Sequence, residues 1–305
     1  MLHESSYSPV IPRGLRRRHR PEAFTTPSSI LLAELRLKNL KDNDRACEDY
    51  YVIRQDQFGG MVTIIGDGVS RSSIGDYPFP SPAALASERA TLTMADILSS
   101  NHGFDPWDAM LYAFQYGNQA VADLNAELGI TPATCDYYVN DLASCCAAAV
   151  TQRPDGLLTI GAIGDCQVQI FNSRGEQLFE TPNFVAPLEE VRANLDCSRE
   201  EKMVKWRRDM RNHPEVRDTY GTITGEPGAL NYLHGYYHRP VRGDMVVLHT
   251  DGMEPFTRFP QFIEFLRTGP STDQLAQVVN WYLGIDGLIT GPARTDDKTL
   301  IAFQV

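Results

Sequence analysis

Hydrophobic and polar residues alternate with two periods along this chain, and the switches between them mark out its elements. Ala33-Glu34-Leu35-Arg36-Leu37-Lys38 alternates residue by residue, as a half-exposed strand does. Tyr50–Gln55 and Met61–Ile65 are rich in β-branched and aromatic side chains, and Asp56-Gln57-Phe58-Gly59-Gly60 between them reads as the turn of a hairpin. The period then lengthens. Ser81-Pro82 opens a helix that runs to about Ser99, and Asp105-Pro106 opens a second that Gly129 closes. Met110, Ala113, Phe114, Gly117, Val121 and Leu124 share one face of the second helix, an apolar stripe suited to packing on a sheet.

The short period returns at Ala143–Thr151, Leu157–Ile163 and Gln167–Asn172, which read as a meander, and Ser173-Arg174-Gly175 turns into Gln177–Phe179. Residues 186–218 are charged and helical, with Ser198 and Glu201 spaced as a capping box. Strands at Tyr236–Val241 and Met245–Thr250 precede helical stretches at Gln261–Arg267 and Asp273–Leu283, and Thr299–Val305 is a final strand. Strands in hairpin-like runs favour antiparallel pairing and an α+β class. Residues 29–305 show no repeat or linker and read as one domain, while residues 1–28, rich in Pro, Ser and Arg, read as a tail.

Composition narrows the classes. Of 305 residues 42% are hydrophobic, enough for a packed core. A formal net charge of −11 argues against a generally basic nucleic-acid binder. The charge is uneven, because residues 1–20 hold five arginines against one acid. That segment reads as a solvated terminus, with a targeting peptide or an anionic docking segment as alternatives. No apolar stretch follows the basic cluster, which argues against a secretory signal. No apolar run approaches the roughly 20 residues of a membrane span. Cys47, Cys135, Cys145, Cys146, Cys166 and Cys197 form no CxxC pair and read as free thiols of a reducing, cytoplasmic compartment. Cys145 and Cys146 would face opposite sides of a strand.

The candidate chemistry lies in acids at strand ends. Glu48-Asp49 precedes one strand, Asp67-Gly68 and Asp165 follow two others, Asp251-Gly252 follows a fourth, and Asp296-Asp297 precedes the last. Taken singly, each is an ordinary turn residue, and the Asp-Gly pairs are common turn dipeptides. Brought together, such acids would repel and raise one another's pKa unless a cation neutralised them. Oxygen ligands of this kind suit magnesium or manganese rather than zinc. No HExxH, G-x-S-x-G or Walker-type loop is present, and the seven histidines lack metal-ligand spacing.

Five short motifs occur in order: Arg45-Ala46-Cys47-Glu48-Asp49, Gly66-Asp67-Gly68-Val69-Ser70, Gly161-Ala162-Ile163-Gly164-Asp165, His249-Thr250-Asp251-Gly252-Met253 and Asp296-Asp297-Lys298-Thr299. Together they resemble the metal-dependent protein phosphatase 2C family in its bacterial-type form, over about residues 33–305. The stretches Gly221–Glu226 and Arg242–Met245 resemble the family's approach to its Asp-Gly strand. The resemblance implies two packed antiparallel sheets flanked by helices on both outer faces. It also implies two Mn2+ or Mg2+ ions, bridged by Asp67, with the Gly68 carbonyl on one and Asp251 and Asp296 on the other. Asp49 would reach the metals directly or through water, supported by Glu48, and Asp165 matches a position linked to a third ion. The implied activity is hydrolysis of phosphoserine and phosphothreonine in signalling proteins, opposed to a serine/threonine kinase.

The departures are specific. Val69 stands where animal members carry a His after Asp-Gly. Arg45 lies four residues before Asp49, whereas the family's phosphate-binding Arg usually lies five before, so Arg45 reads either as a phosphate ligand or as a surface arginine. Cys166-Gln167 replaces Ser-Arg, and Ser144-Cys145-Cys146 replaces a Gly-Thr-Thr-like strand. His249 reads as a packed residue rather than a ligand, and Cys166 as a buried inert thiol, with oxidation sensitivity the alternative. Arg192, Arg199, Lys202, Lys205, Arg207, Arg208 and Arg211 fall where the family has a variable flap, either as an exposed helix face or as a docking surface for phosphoproteins. A pseudophosphatase that binds phosphoproteins is the competing function, disfavoured because a dead site has no need of mutually repelling acids. A two-metal nuclease is disfavoured by the acidic body.

Overall fold

The period-two segments become strands and the longer-period segments become covering helices in the computed structural model, which describes residues 29–38, 47–56, 59–69, 81–100 and 104–305. The tail 1–28 and Arg45 lie outside the described residues. The strands are β1 (Ile30–Leu37), β2 (Tyr50–Gln55), β3 (Met61–Gly68), β4 (Cys145–Gln152), β5 (Leu158–Ile163), β6 (Gln167–Phe171), β7 (Gln177–Glu180), β8 (His234–His238), β9 (Met245–His249) and β10 (Lys298–Gln304). The helices are α1 (Pro82–Ser100), α2 (Pro106–Glu127), α3 (Ala186–Ala193), α4 (Arg199–Arg208), α5 (Glu254–Thr257), α6 (Pro260–Arg267) and α7 (Thr272–Gly284).

Two five-stranded sheets result, with strand orders β2-β3-β4-β5-β8 and β1-β10-β9-β6-β7. All the pairings between named strands are antiparallel. Alternation along each strand assigns its side chains to different cores. In β4, Cys145, Ala147 and Ala149 pack with α1 and α2, while Cys146, Ala148 and Val150 face the other sheet. In β9, Met245 and Val247 pack with α5–α7, while Val246 and Leu248 join the inter-sheet core. The architecture is therefore helix, sheet, sheet, helix, as the resemblance implies. Three contiguous apolar layers hold it, and burying each large side chain contributes roughly 1.5–3 kcal/mol.

The helix starts follow their local signals. The Asp105 carboxylate accepts from the Trp107 N–H at 2.9 Å with Pro106 next, and Gly129 follows the end of α2 with φ +73°. Ser198 and Glu201 form the expected capping box. Ser271 and Gln274 form a second, which starts α7 at Thr272.

Two expectations are corrected. The segments read as a meander do not share a sheet: β4 pairs with β5, but β6 pairs with β7 and β9 in the other sheet. The switch is made at Gly164, whose φ is +86° and where a Cβ would stand 2.2 Å from the Cys146 Sγ. Only glycine permits so short a passage between sheets, and Asp165 is carried with it. The helical reading of residues 186–218 holds only for α3 and α4. Beyond Arg208 the backbone is captured by side chains instead. The Asn212 amide, at φ +60°, donates to the Thr222 carbonyl at 3.0 Å and accepts from the Thr222 N–H at 3.0 Å.

Candidate active site

The strand-end acids converge on one end of the inter-sheet core. β3 runs into Asp67, whose pairing partner across the sheet is Cys146. β9 runs into Asp251 through Thr250, β10 is preceded by Asp296 and Asp297, and the sheet-switching turn supplies Asp165. Asp49 sits just before β2. Five separate segments thus deliver Asp49, Asp67, Asp165, Asp251 and Asp296. Asp49 is 1% exposed. The other four keep a narrow solvent contact while protein surrounds their remaining sides.

The electrostatic consequence is one-sided. Asp67 is pushed well above the usual carboxylate range, first by burial and then by the charges of Asp49, Asp251, Asp165 and Asp296. Burial and then Asp297 push Asp49 up in the same way, against an opposing hydrogen bond from Thr250. Asp165 is raised by burial, with hydrogen bonds from the Cys146 thiol and its own backbone opposing. Asp251 is raised to about 7 by burial and the charge of Asp165, while a hydrogen bond with Asp67 works the other way. Burial and Asp251 raise Asp296 to about 7. Five carboxyls thus share a site that disfavours their charge, and the leading opposing contacts include a single cation, Lys298, at Asp296.

Neighbouring groups fix these side chains. The Thr250 hydroxyl donates to Asp49 Oδ2 at 2.9 Å and accepts from the Thr299 N–H at 3.1 Å. Asp297 makes a contact of its own: its Oδ2 accepts from the Glu48 N–H at 2.6 Å, tying the segment before β10 to the one before β2. The Glu48 carboxylate accepts from the hydroxyl of Ser81 at the start of α1, and its carbonyl accepts from Ser87. Glu48 therefore steadies Asp49 through the backbone. Both Asp-Gly glycines are demanded by close approach. A Cβ at Gly68 would stand 2.7 Å from the Ala83 and Glu48 carbonyl oxygens, and one at Gly252 2.0 Å from that of Asp297.

The donor set fits a hard divalent cation in its chemistry: five carboxylates, and an Asp251 Oδ1 that is buried without a hydrogen-bond partner. In its arrangement, no group of three His, Cys, Asp or Glu side chains among the described residues is already disposed to hold one ion. The acids nevertheless share one patch. His249 does not join them. It is fully buried, its Nδ1 lies 3.0 Å from the Thr250 carbonyl, and burial lowers its pKa. The Cys166 thiol is buried and pushed well up, chiefly by burial. A cleft of about 490 Å3 opens beside Asp165 and Asp251, walled by Asn183, Val185, Glu189, Glu254, Arg258 and Phe259.

The basic flap residues are distributed differently from a docking surface. Arg207 and Arg211 are buried on Asp141, Arg192 lies 4.8 Å over the Trp206 ring, and Arg208 pairs with Asp209 at 2.7 Å. Arg199 and Arg208 are the exposed members of the set. Sequence reasoning missed Asp141 and the asparagines of α2. Asn118 Oδ1 accepts from the Gly225 N–H at 2.8 Å, and Asn125 Nδ2 donates to the Thr224 carbonyl at 2.9 Å. The available signal was their seven-residue spacing, which sets both on the buried face of α2.

Solved structures share this helix-sheet-sheet-helix fold. A serine/threonine phosphatase of S. agalactiae superposes with a TM-score of 0.60 at 16% identity, over 91% of this chain and 99% of that one. The Mycobacterium tuberculosis serine/threonine phosphatase PstP/Ppp gives 0.57 at 17%, over 90% and 99%. The PstP catalytic domain in complex with two manganese ions gives 0.56 at 16%, over 89% and 96%. This chain has the fold of these bacterial phosphatases of the protein phosphatase 2C type. No family model matches its sequence, and no curated protein sequence matches it. Among the described residues no helix is long and apolar enough to cross a membrane.

Proposed function

We propose that the protein hydrolyses phosphoserine and phosphothreonine in proteins, using two divalent cations, Mn2+ or Mg2+, with Asp165 available to a third. The observation that carries this reading is the convergence of Asp49, Asp67, Asp165, Asp251 and Asp296, from five segments of a phosphatase fold, on one buried patch. Asp67, the Gly68 carbonyl, Asp251, Asp296 and Asp49 would hold the cations. When bound, such cations lower the pKa of a water into the neutral range and offset the charge of the phosphate oxygens.

The chain's own contribution is positioning. Thr250 orients Asp49, the Asp297–Glu48 bond fixes the distance between two donor segments, and Gly252 lets them close together. The reaction needs no protein nucleophile, and the nearby Cys146 and Cys166 thiols are held protonated by burial. Arg45 is the proposed phosphate contact. The cleft beside Asp165 and Asp251 has room for the phosphorylated residue, with Arg258 as a cation on its wall. Such an enzyme would oppose a serine/threonine kinase. The six free cysteines are consistent with a cytoplasmic setting.

The test is hydrolysis of p-nitrophenyl phosphate and of a phosphothreonine peptide in Mn2+ and in EDTA. Turnover that is lost in EDTA, and falls at least about 100-fold in Asp251→Ala, is expected. No turnover at any Mn2+ concentration would exclude the enzyme and leave the phosphoprotein-binding alternative.

A further inference from the structure

The outer face of α2 exposes aromatic rings among carboxylates. The helix turns Met110, Ala113, Phe114, Val121 and Leu124 inward onto its sheet. Its other side presents Tyr112, 41% exposed, and Tyr116, 54% exposed, one turn apart. Phe104, just before the helix and 59% exposed, stands edge-on to Tyr112 at 5.4 Å. Asp108 and Asp123 are exposed on the same side. The helix and its sequence neighbours supply no cation, because residues 90–152 hold seven acids and not one Lys or Arg. Arg89 of α1 is taken up by the Glu127 carboxylate, at 2.6 and 2.8 Å. Rings edged with carboxylates are suited to guanidinium groups, which stack on aromatic faces and pair with acids.

The chain carries such groups within reach. Arg13, Arg16, Arg17, Arg18 and Arg20 precede the first described residue, Ser29. The Ser29 hydroxyl donates to Gln152 at the end of β4. Gln152 pairs with Leu158, and the next residue, Thr159, pairs with Tyr237. The Tyr237 hydroxyl in turn donates to the Asp105 carboxylate, the cap of α2, at 3.4 Å. The chain therefore enters the fold beside the N-terminal end of α2. Arg20 is nine positions before Ser29, about 30 Å of extended chain. The 22 residues of α2 span about 33 Å. The acid patch lies at the other end of β4, where Cys145 pairs with Gly68.

We propose that the outer face of α2 is the docking site of this chain's own residues 13–20. Their guanidinium groups lie on Tyr112, Tyr116 and Phe104 and pair with Asp108 and Asp123. The short tether makes the contact intramolecular, so individually weak contacts suffice, and salt opposes them by screening. The proposal is independent of the reading of the strand-end acids as metal ligands.

The experiment uses the full chain carrying Arg17→Lys, which keeps the charge and adds an amine. A zero-length carbodiimide joins such an amine only to a carboxylate in contact with it. In dilute protein at low salt, peptide mapping is expected to find the amine joined to Asp108 or Asp123 of the same molecule. The yield there is expected to exceed, by about fivefold or more, that at Asp273 and Asp286, which are exposed on and just after α7 on the opposite outer face. Adding Tyr112→Ser and Tyr116→Ser, both at exposed positions, is expected to cut the yield about threefold. Raising NaCl to about 0.5 M is expected to lower it as well. Coupling to Asp165, Asp251 or Glu254 would put the segment at the acid patch, and coupling between molecules would make the occupant a second copy. Either result would overturn the proposal. So would an absence of coupling, coupling spread evenly over the exposed acids, or a yield that the tyrosine substitutions leave unchanged.

Discussion

Two regions of this protein bury charge, and they do so in opposite ways. Behind the flap, Asp141 receives Arg207 Nε at 3.1 Å and Arg211 Nη2 at 2.9 Å, with all three side chains no more than 3% exposed. Glu226 adds a second carboxylate 3.7 Å from Arg211 Nε, and the Tyr137 ring lies 5.7 Å from the same guanidinium. Positive and negative groups alternate there, so desolvation is offset within the fold. At the other region, five aspartates meet with one lysine nearby. The first cluster anchors α4 and the loop after it to the loop between α2 and β4. The second gathers carboxylates with little opposing charge, and burial and mutual repulsion raise their pKa values instead. Buried charge that is balanced marks structure, and buried charge of one sign marks a site.

The sharpest way to break the comparison is to unbalance the first region. Asp141→Ala leaves two buried guanidiniums without their shared partner and is expected to cost about 3–5 kcal/mol of stability, read by denaturant unfolding. A cost below about 1 kcal/mol would mean that the arginines find water or another acid.

The reverse is expected at the acid patch. In Asp67→Asn the amide resembles the protonated carboxyl that the site favours. The EDTA-treated protein should therefore gain about 1 kcal/mol or more, while the rise in melting temperature on adding Mn2+ disappears. Loss of stability in EDTA would show that the repulsion is already relieved by other contacts.

A subtler difference lies in pH. Asp251 and Asp296 are raised to about 7 from an unfolded value of about 4. The folded state therefore binds more protons than the unfolded state in that window. Stability from these groups is full below about pH 4 and is lost as pH climbs through about 7. The metal-free melting temperature should fall between about pH 5.5 and pH 8, and the Mn2+ shift should be larger at the higher pH. The arginines of the flap anchor keep their charge throughout this range. A flat profile in EDTA would contradict the description of the patch.

These contrasts were unequally legible in the sequence. Period-two and longer-period segments predicted the strands and helices closely, because local capping at Asp105, Ser198 and Pro82 agrees with the tertiary fold. The five acids were visible as strand-end residues in a family order. The sheet switch at Gly164 was not visible, since a glycine between two apolar runs also suits a hairpin. Nor was the flap anchor. Arg207 and Arg211 look like any basic helix face until Asp141, 66 and 70 positions earlier in the chain, is brought beneath them. Asp297 and Lys298 were read only as neighbours of Asp296, and their own contacts depend on segments about 250 and 45 residues away.

The central claim is that the acid patch is a divalent-cation site that works on phosphate esters. It is tested most directly by following phosphate release from a phosphothreonine peptide and the melting temperature together across one Mn2+ titration. The account predicts that both rise over the same concentration range, and that neither responds in Asp251→Ala. A melting temperature that rises without phosphate release, or no response of either quantity, would contradict it.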